Sequence, residues 1–163
     1  MNDADPLETD LLQTLIRIAG EHARLCLVEF KYRSLMPSWL IVTSEDRLEL
    51  IGTPWENDQE KRKQVARVKK RLKETRAKAY SLACEAWVAE YPSAVLQKGF
   101  VRPADRPDRQ ELVVVTAASR TQSMFGRWRI VRAPTTEQIT DLVREDFPSS
   151  EGQPESWMAH LLD

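Results

Sequence analysis

An α+β fold is predicted for this 163-residue chain by three observations: apolar residues at helical spacing in two stretches, period-two or β-branched runs in five others, and turn chemistry between them. The expected order is a long N-terminal helix, a β-hairpin, a basic helix, a three-stranded meander and a C-terminal helical tail. The sheet is expected to be antiparallel with about five strands. A composition of 42% hydrophobic and 30% charged residues fits a single globular domain over 1–163, with residues 1–5 as a disordered lead and 134–163 as an acidic helical tail.

The first helix is expected from Pro6 to Lys31. Leu12, Ile16, Ala19, Ala23, Cys26 and Phe30 form one stripe, and Leu11, Leu15, Ile18, His22 and Leu25 widen it. Such a face suits the core or a subunit contact. Gly20, in mid-helix at a cost of about 1 kcal/mol against Ala, implies either a close approach or a break. His22 has no second ligand at helical spacing and reads as a structural imidazole. Pro37 closes the region. Trp39 to Thr43 and Leu48 to Ile51 then read as strands around the turn residues Ser44-Glu45-Asp46.

The basic helix follows Trp55, which is placed to act as its hydrophobic staple, and Asn57 or Asp58, which suit its N-cap. Val65, Val68, Leu72, Thr75 and Ala79 share a narrow face. Ten Lys or Arg against two Glu between Glu60 and Lys78 give a local charge of +8, although the whole chain is near neutral at −1. Lys63, Arg67, Lys70 and Arg71 are the candidate binding cations of this helix.

From Ala79 to Tyr91 the period becomes two, with Tyr80, Leu82, Cys84, Ala86 and Val88 on one side and Glu85 and Trp87 on the other. A proline-rich stretch from Pro92 to Glu111 reads as a long loop. Two strands are expected in ELVVVTAAS and FGRWRIVRA. Pro134 to about Phe147 and the final PESWMAHLLD read as helices, and this tail carries seven acids against one base, or −6. Its acids Glu137, Asp141 and Glu145 are expected to restrain the +8 helix. Docking of the tail through Ile139, Leu142, Val143 and Trp157 is the competing expectation.

Catalytic signatures are sparse. No GxSxG elbow, P-loop or GxGxxG occurs, and Cys26 and Cys84 sit in apolar patterns that suggest buried, reduced thiols. No catalytic residue, metal or cofactor is expected. No apolar run reaches membrane-spanning length and the acidic start lacks a basic n-region, so a cytoplasmic protein with no membrane contact is expected.

Glu85, Asp105, Asp108 and Glu111 form the one acidic constellation. It resembles the metal-dependent nucleases of the PD-(D/E)xK type, but Val113 stands where the pattern requires Lys. The strings TPWENDQEK, CEAW and RPDRQE resemble small uncharacterised proteins of bacterial and phage genomes over Thr53 to Val115. That resemblance implies no activity and suggests only that Glu85, Trp87, Asp108 and Arg109 share one surface. The succession of elements also resembles profilin-like or roadblock-like interaction domains.

The function expected from these features is a non-enzymatic protein-interaction module, with homodimerisation through a sheet edge or the N-terminal helix as one form of it. Two alternatives stay open: nucleic-acid binding through residues 60–78, and a metal-dependent enzyme using Glu85 with the acidic loop 105–111.

Overall fold

The computed structural model describes residues 5–88, 105, 109–145 and 161–163. Helix α1 (Pro6–Arg24) begins at Asp5, whose side chain accepts from the Leu7 amide, and runs unbroken through Gly20. Close approach explains that glycine: a Cβ there would stand 2.2 Å from Cζ2 of Trp128, and one at Gly126 would stand 2.5 Å from Cγ2 of Ile16. Beyond Arg24 the chain widens into a π turn, Leu25–Glu29, so the single long helix expected to Lys31 ends sooner.

Strands β1 (Ser38–Val42) and β2 (Leu48–Gly52) form the expected hairpin. Helix α2 (Asp58–Glu74) starts where the sequence places it: Asn57 Oδ1 accepts from the Glu60 amide at 2.9 Å, and Glu60 reaches back to the Glu56 amide at 2.8 Å. It stops four residues before Lys78, because Arg76 turns left-handed (φ 49°) and the Ala77 amide closes on the Leu72 carbonyl. Ala79 therefore opens β3 (Ala79–Val88) and does not extend the helical stripe.

Strands β4 (Gln110–Ser119), β5 (Ser123–Arg132) and β6 (Ile139–Glu145) complete a fully antiparallel, six-stranded sheet in the order β2-β1-β3-β4-β5-β6. The α+β class stands, with one strand more than expected. That strand is the main correction, because residues 139–145 were expected to be helical. Ile139 and Leu142 are both buried at a three-residue spacing, which mimics a helical stripe. The spacing arises from a bulge: Arg132 pairs with Ile139 and Val131 with Asp141, so Thr140 is extra and both apolar residues point inward.

Two cores flank the sheet. On one face α1 packs Leu12, Leu15, Ile16 and Ala19 against Ala79, Ala83, Val113, Val115 and Trp128. On the other, Val68 and Leu72 of α2 cover Trp39, Ile41, Tyr80 and Leu82, with Leu161 joining them. Trp39 satisfies its indole N–H on Thr53 Oγ1 at 2.9 Å, and the Leu161 amide donates to the Tyr80 hydroxyl at 3.3 Å. Burial pushes the Tyr80 phenol up to about 12. Each such fully buried large side chain contributes about 1.5–3 kcal/mol.

Among the described residues, the acids expected to restrain α2 are engaged elsewhere, and Glu137 lends its carbonyl to Arg132. Asp141 pairs with Arg24 at 2.6 Å, and Glu145 with Arg129 at 3.1 Å and Arg127 at 3.5 Å. The strand order sets β6 five steps, or about 24 Å, from β2. Ile139 and Leu142 dock as the competing expectation holds, while Val143 is exposed. Residues 1–4, most of the loop 92–108, Trp157 and the helix expected from Pro154 lie outside the described residues.

Candidate functional site

Three surfaces gather the residues that can recognise a ligand. The first is the corner where the hairpin meets the end of the π turn. Phe30 and Tyr32 hold their rings 5.8 Å apart, and Tyr32, Leu35, Met36, Leu50 and Trp55 line one groove of about 770 Å³. Met36 lies over Gly52, where an added Cβ would meet its sulfur at 2.7 Å. Leu50 is 53% exposed, and Leu48, Phe30, Tyr32 and Met36 are exposed with it. Large apolar side chains clustered in this way mark contact surfaces more than scattered ones do.

The second surface is the groove between β2 and α2, about 610 Å³, floored by Ile51 and Val68 and walled by Arg67, Lys70 and Arg71. Arg71 is committed: its Nε and Nη2 grip the Glu49 carboxylate at 2.9 and 2.7 Å, and Glu74 lies 3.5 Å away. That fork holds the Glu49 carboxyl below its usual range. Lys70 is only loosely paired, at 3.9 Å from Glu74, and Arg67 reaches Gln64 at 3.5 Å with no carboxylate partner among the described residues. Lys63 lies exposed on the same helix without a carboxylate partner among the described residues. Trp55 covers the start of α2 beside Lys61, whose ammonium is 6.0 Å from the ring.

The third surface lies at the far end of β3. Glu85 and Trp87 share the α1 face; Glu85 borders the first groove together with His22 and Cys26, and Trp87 is 42% exposed under the Arg109 guanidinium, 4.5 Å from its ring. Glu85 accepts from the Leu35 amide at 2.6 Å; burial pushes its carboxyl up, and that amide opposes the shift. Glu111, across from Trp87, is held by Arg132 through Nε at 2.5 Å and Nη2 at 2.8 Å. Trp87 and Arg109 therefore meet as expected, whereas Asp108 lies outside the described residues.

Of the eight residues singled out by sequence, the seven that are described do not share one surface. Arg67, Lys70 and Arg71 flank the β2 edge, Lys63 lies elsewhere on α2, Trp87 and Arg109 meet at the end of β3, and Glu85 lines the first groove with Tyr32, Leu35 and Met36. Among the described residues, no group of three His, Cys, Asp or Glu side chains is placed to hold a metal ion, and no helix is long and apolar enough to cross a membrane. Cys26 and Cys84 are free and half-buried rather than fully buried. His22 Nε2 stands 3.7 Å from Cys26 Sγ, but burial raises that thiol above its usual range, which disfavours the nucleophilic thiolate.

Tyr32, Met36, Leu48 and Leu50 were not legible as site residues, since their only sequence signal was apolar character next to Pro37 and Glu49, which a buried strand would show equally; Phe30 was legible only as part of the first helix's apolar stripe. Comparison with protein-family models, with curated proteins and with solved structures finds no match for this chain.

Proposed function

We propose that this chain is a non-enzymatic protein-interaction module that docks a partner at the β2 corner. The observation that carries this reading is the coincidence of an edge strand with five exposed large apolar side chains: Phe30, Tyr32, Met36, Leu48 and Leu50. Soluble proteins blunt such edges with charge, bulges or covering elements. Leaving this one apolar is consistent with a surface that is covered in use. The raised Cys26 thiol and the arginine-bound Glu111 support a binding role over catalysis.

Site-specific photocrosslinking tests the reading. A benzophenone side chain at Leu50 should give an adduct in the producing cells, and one at Val143, exposed on the other edge strand, should not. An adduct of twice the chain mass identifies a homodimer, and a larger or smaller one a different partner. Equal yields at both positions, or none at Leu50, Leu48 and Met36, would overturn the proposal.

A second reading is nucleic-acid binding through α2. It is favoured by Arg62, Lys63, Lys69 and Lys73, which have no carboxylate partner among the described residues. Four phosphate contacts would make log affinity fall with log salt at a slope of about −4. Absence of binding to mixed DNA and RNA at low salt removes this reading.

A further inference from the structure

The free edge of β2 is set in register by its bonds to β1. The Thr43 amide donates to Arg47 O at 2.9 Å and the Thr53 amide to Pro37 O at 2.8 Å. With Ile41 opposite Glu49 and Trp39 opposite Ile51, the odd-numbered residues of β2 make the hydrogen-bonded pairs. The Lys78 amide takes Val42 O at 2.9 Å from the opposite side, which confirms the alternation. Leu48, Leu50 and Gly52 therefore turn their N–H and C=O groups outward, where no described strand pairs with them. No proline interrupts this edge.

A strand added there would present alternate side chains to two different environments. One parity meets Leu48, Leu50 and Met36 on the α1 side of the sheet. The other enters the groove beneath α2, where Arg67 and Lys70 are the cations not held by a bidentate carboxylate. Helix α2 as a whole carries eight Lys or Arg against three Asp or Glu.

We propose, resting on the reading of the β2 corner as a docking surface, that its occupant is an extended segment of another protein that adds to β2 as a seventh strand. That segment has apolar residues at one parity and acidic residues at the other. A second copy of this chain fits less well. Its own Leu48-Glu49-Leu50 has the pattern, but Glu49 is already held by Arg71, and two-fold pairing would set two cationic α2 helices side by side.

The test uses the intact protein and three fluorescein-labelled heptapeptides: alternating Val and Glu, alternating Val and Lys, and the Val-Glu peptide with N-methylated amides along one edge. Fluorescence anisotropy should show the Val-Glu peptide binding about tenfold more tightly than either control, because charge sign and backbone pairing each contribute. Arg67→Glu should weaken the Val-Glu peptide and strengthen the Val-Lys one. Bound Val-Glu peptide should slow hydrogen exchange at the Leu48 and Leu50 amides. Equal binding of the N-methylated peptide overturns strand addition, and equal binding of the lysine peptide overturns the acidic assignment. Absence of peptide binding alongside a crosslinked adduct at Leu50 refutes this inference and leaves the docking surface standing. A concentration-dependent dimer that protects the Leu48 and Leu50 amides would replace the acidic segment with a second copy.

Discussion

Strands β6 and β2 end the same sheet, and they treat their outer edges in opposite ways. At β6, Arg24 reaches across from α1 to grip Asp141 at 2.6 Å and the Leu142 carbonyl at 2.8 Å. The π turn packs alongside, the bulge at Thr140 breaks the ladder, and Thr140, Arg144 and Glu145 supply polar side chains. At β2 no bulge and no side-chain bond to an outward carbonyl is found among the described residues. Its charged contact, Glu49 with Arg71, lies on the α2 side and leaves Leu48 and Leu50 open. An edge strand is a template for further pairing, and among the described residues β6 carries protection that β2 lacks.

The largest expected contrast is in stability. Leu142 is 2% exposed, and Leu142→Ala should cost about 2–5 kcal/mol in urea unfolding through lost burial and the cavity left behind. Leu50→Ala should stay within about 0.5 kcal/mol of the parent, since a side chain already in water loses little. A comparable loss at both positions would mean that the β2 edge is covered and that the asymmetry is false.

A smaller effect is expected in association. Leu48→Lys with Leu50→Lys supplies β2 with the charge that β6 already has, and it should suppress binding of an environment-sensitive apolar dye without lowering the unfolding midpoint. Arg24→Ala should do the reverse at β6, raising dye binding and speeding exchange near Leu142. Because the Arg24–Asp141 pair is exposed and screened by solvent, its direct effect on stability should be small.

The smallest effect is in pH dependence. Hydrogen bonds from Arg24 hold Asp141 below its usual value, as Arg71 does for Glu49. Depressed carboxylates add stability that is complete above the unfolded values of 3.8 and 4.5 and is lost as pH falls through the lower folded values. Carbon-detected titration should show both carboxylates ionising at lower pH than ordinary ones. Arg24→Gln should return Asp141 toward its ordinary value while leaving Glu49 unchanged, and movement of both together would show that the two edges are not independent.

The elements with self-contained local chemistry were readable from the chain alone. Asn57 and Glu60 cap α2 through contacts within four residues, Ser44 to Asp46 turn the hairpin, and Tyr80, Leu82 and Cys84 alternate with Glu85 and Trp87 along β3. Gly20 announced an anomaly, but only the approach of Trp128 from β5, over a hundred residues away, chose between a kink and a close contact. The tail was misread because a bulge, which exists only once β6 pairs with β5, spaces Ile139 and Leu142 as a helix would. Membership of an edge is likewise not a property of a strand. LELIG carries the same residues whether it lies inside a sheet or at its margin, and the order β2-β1-β3 alone leaves Leu48 and Leu50 exposed with no described strand beyond them. Local hydrogen bonding and side-chain period are written residue by residue, whereas exposure of an edge depends on which distant strands arrive beside it.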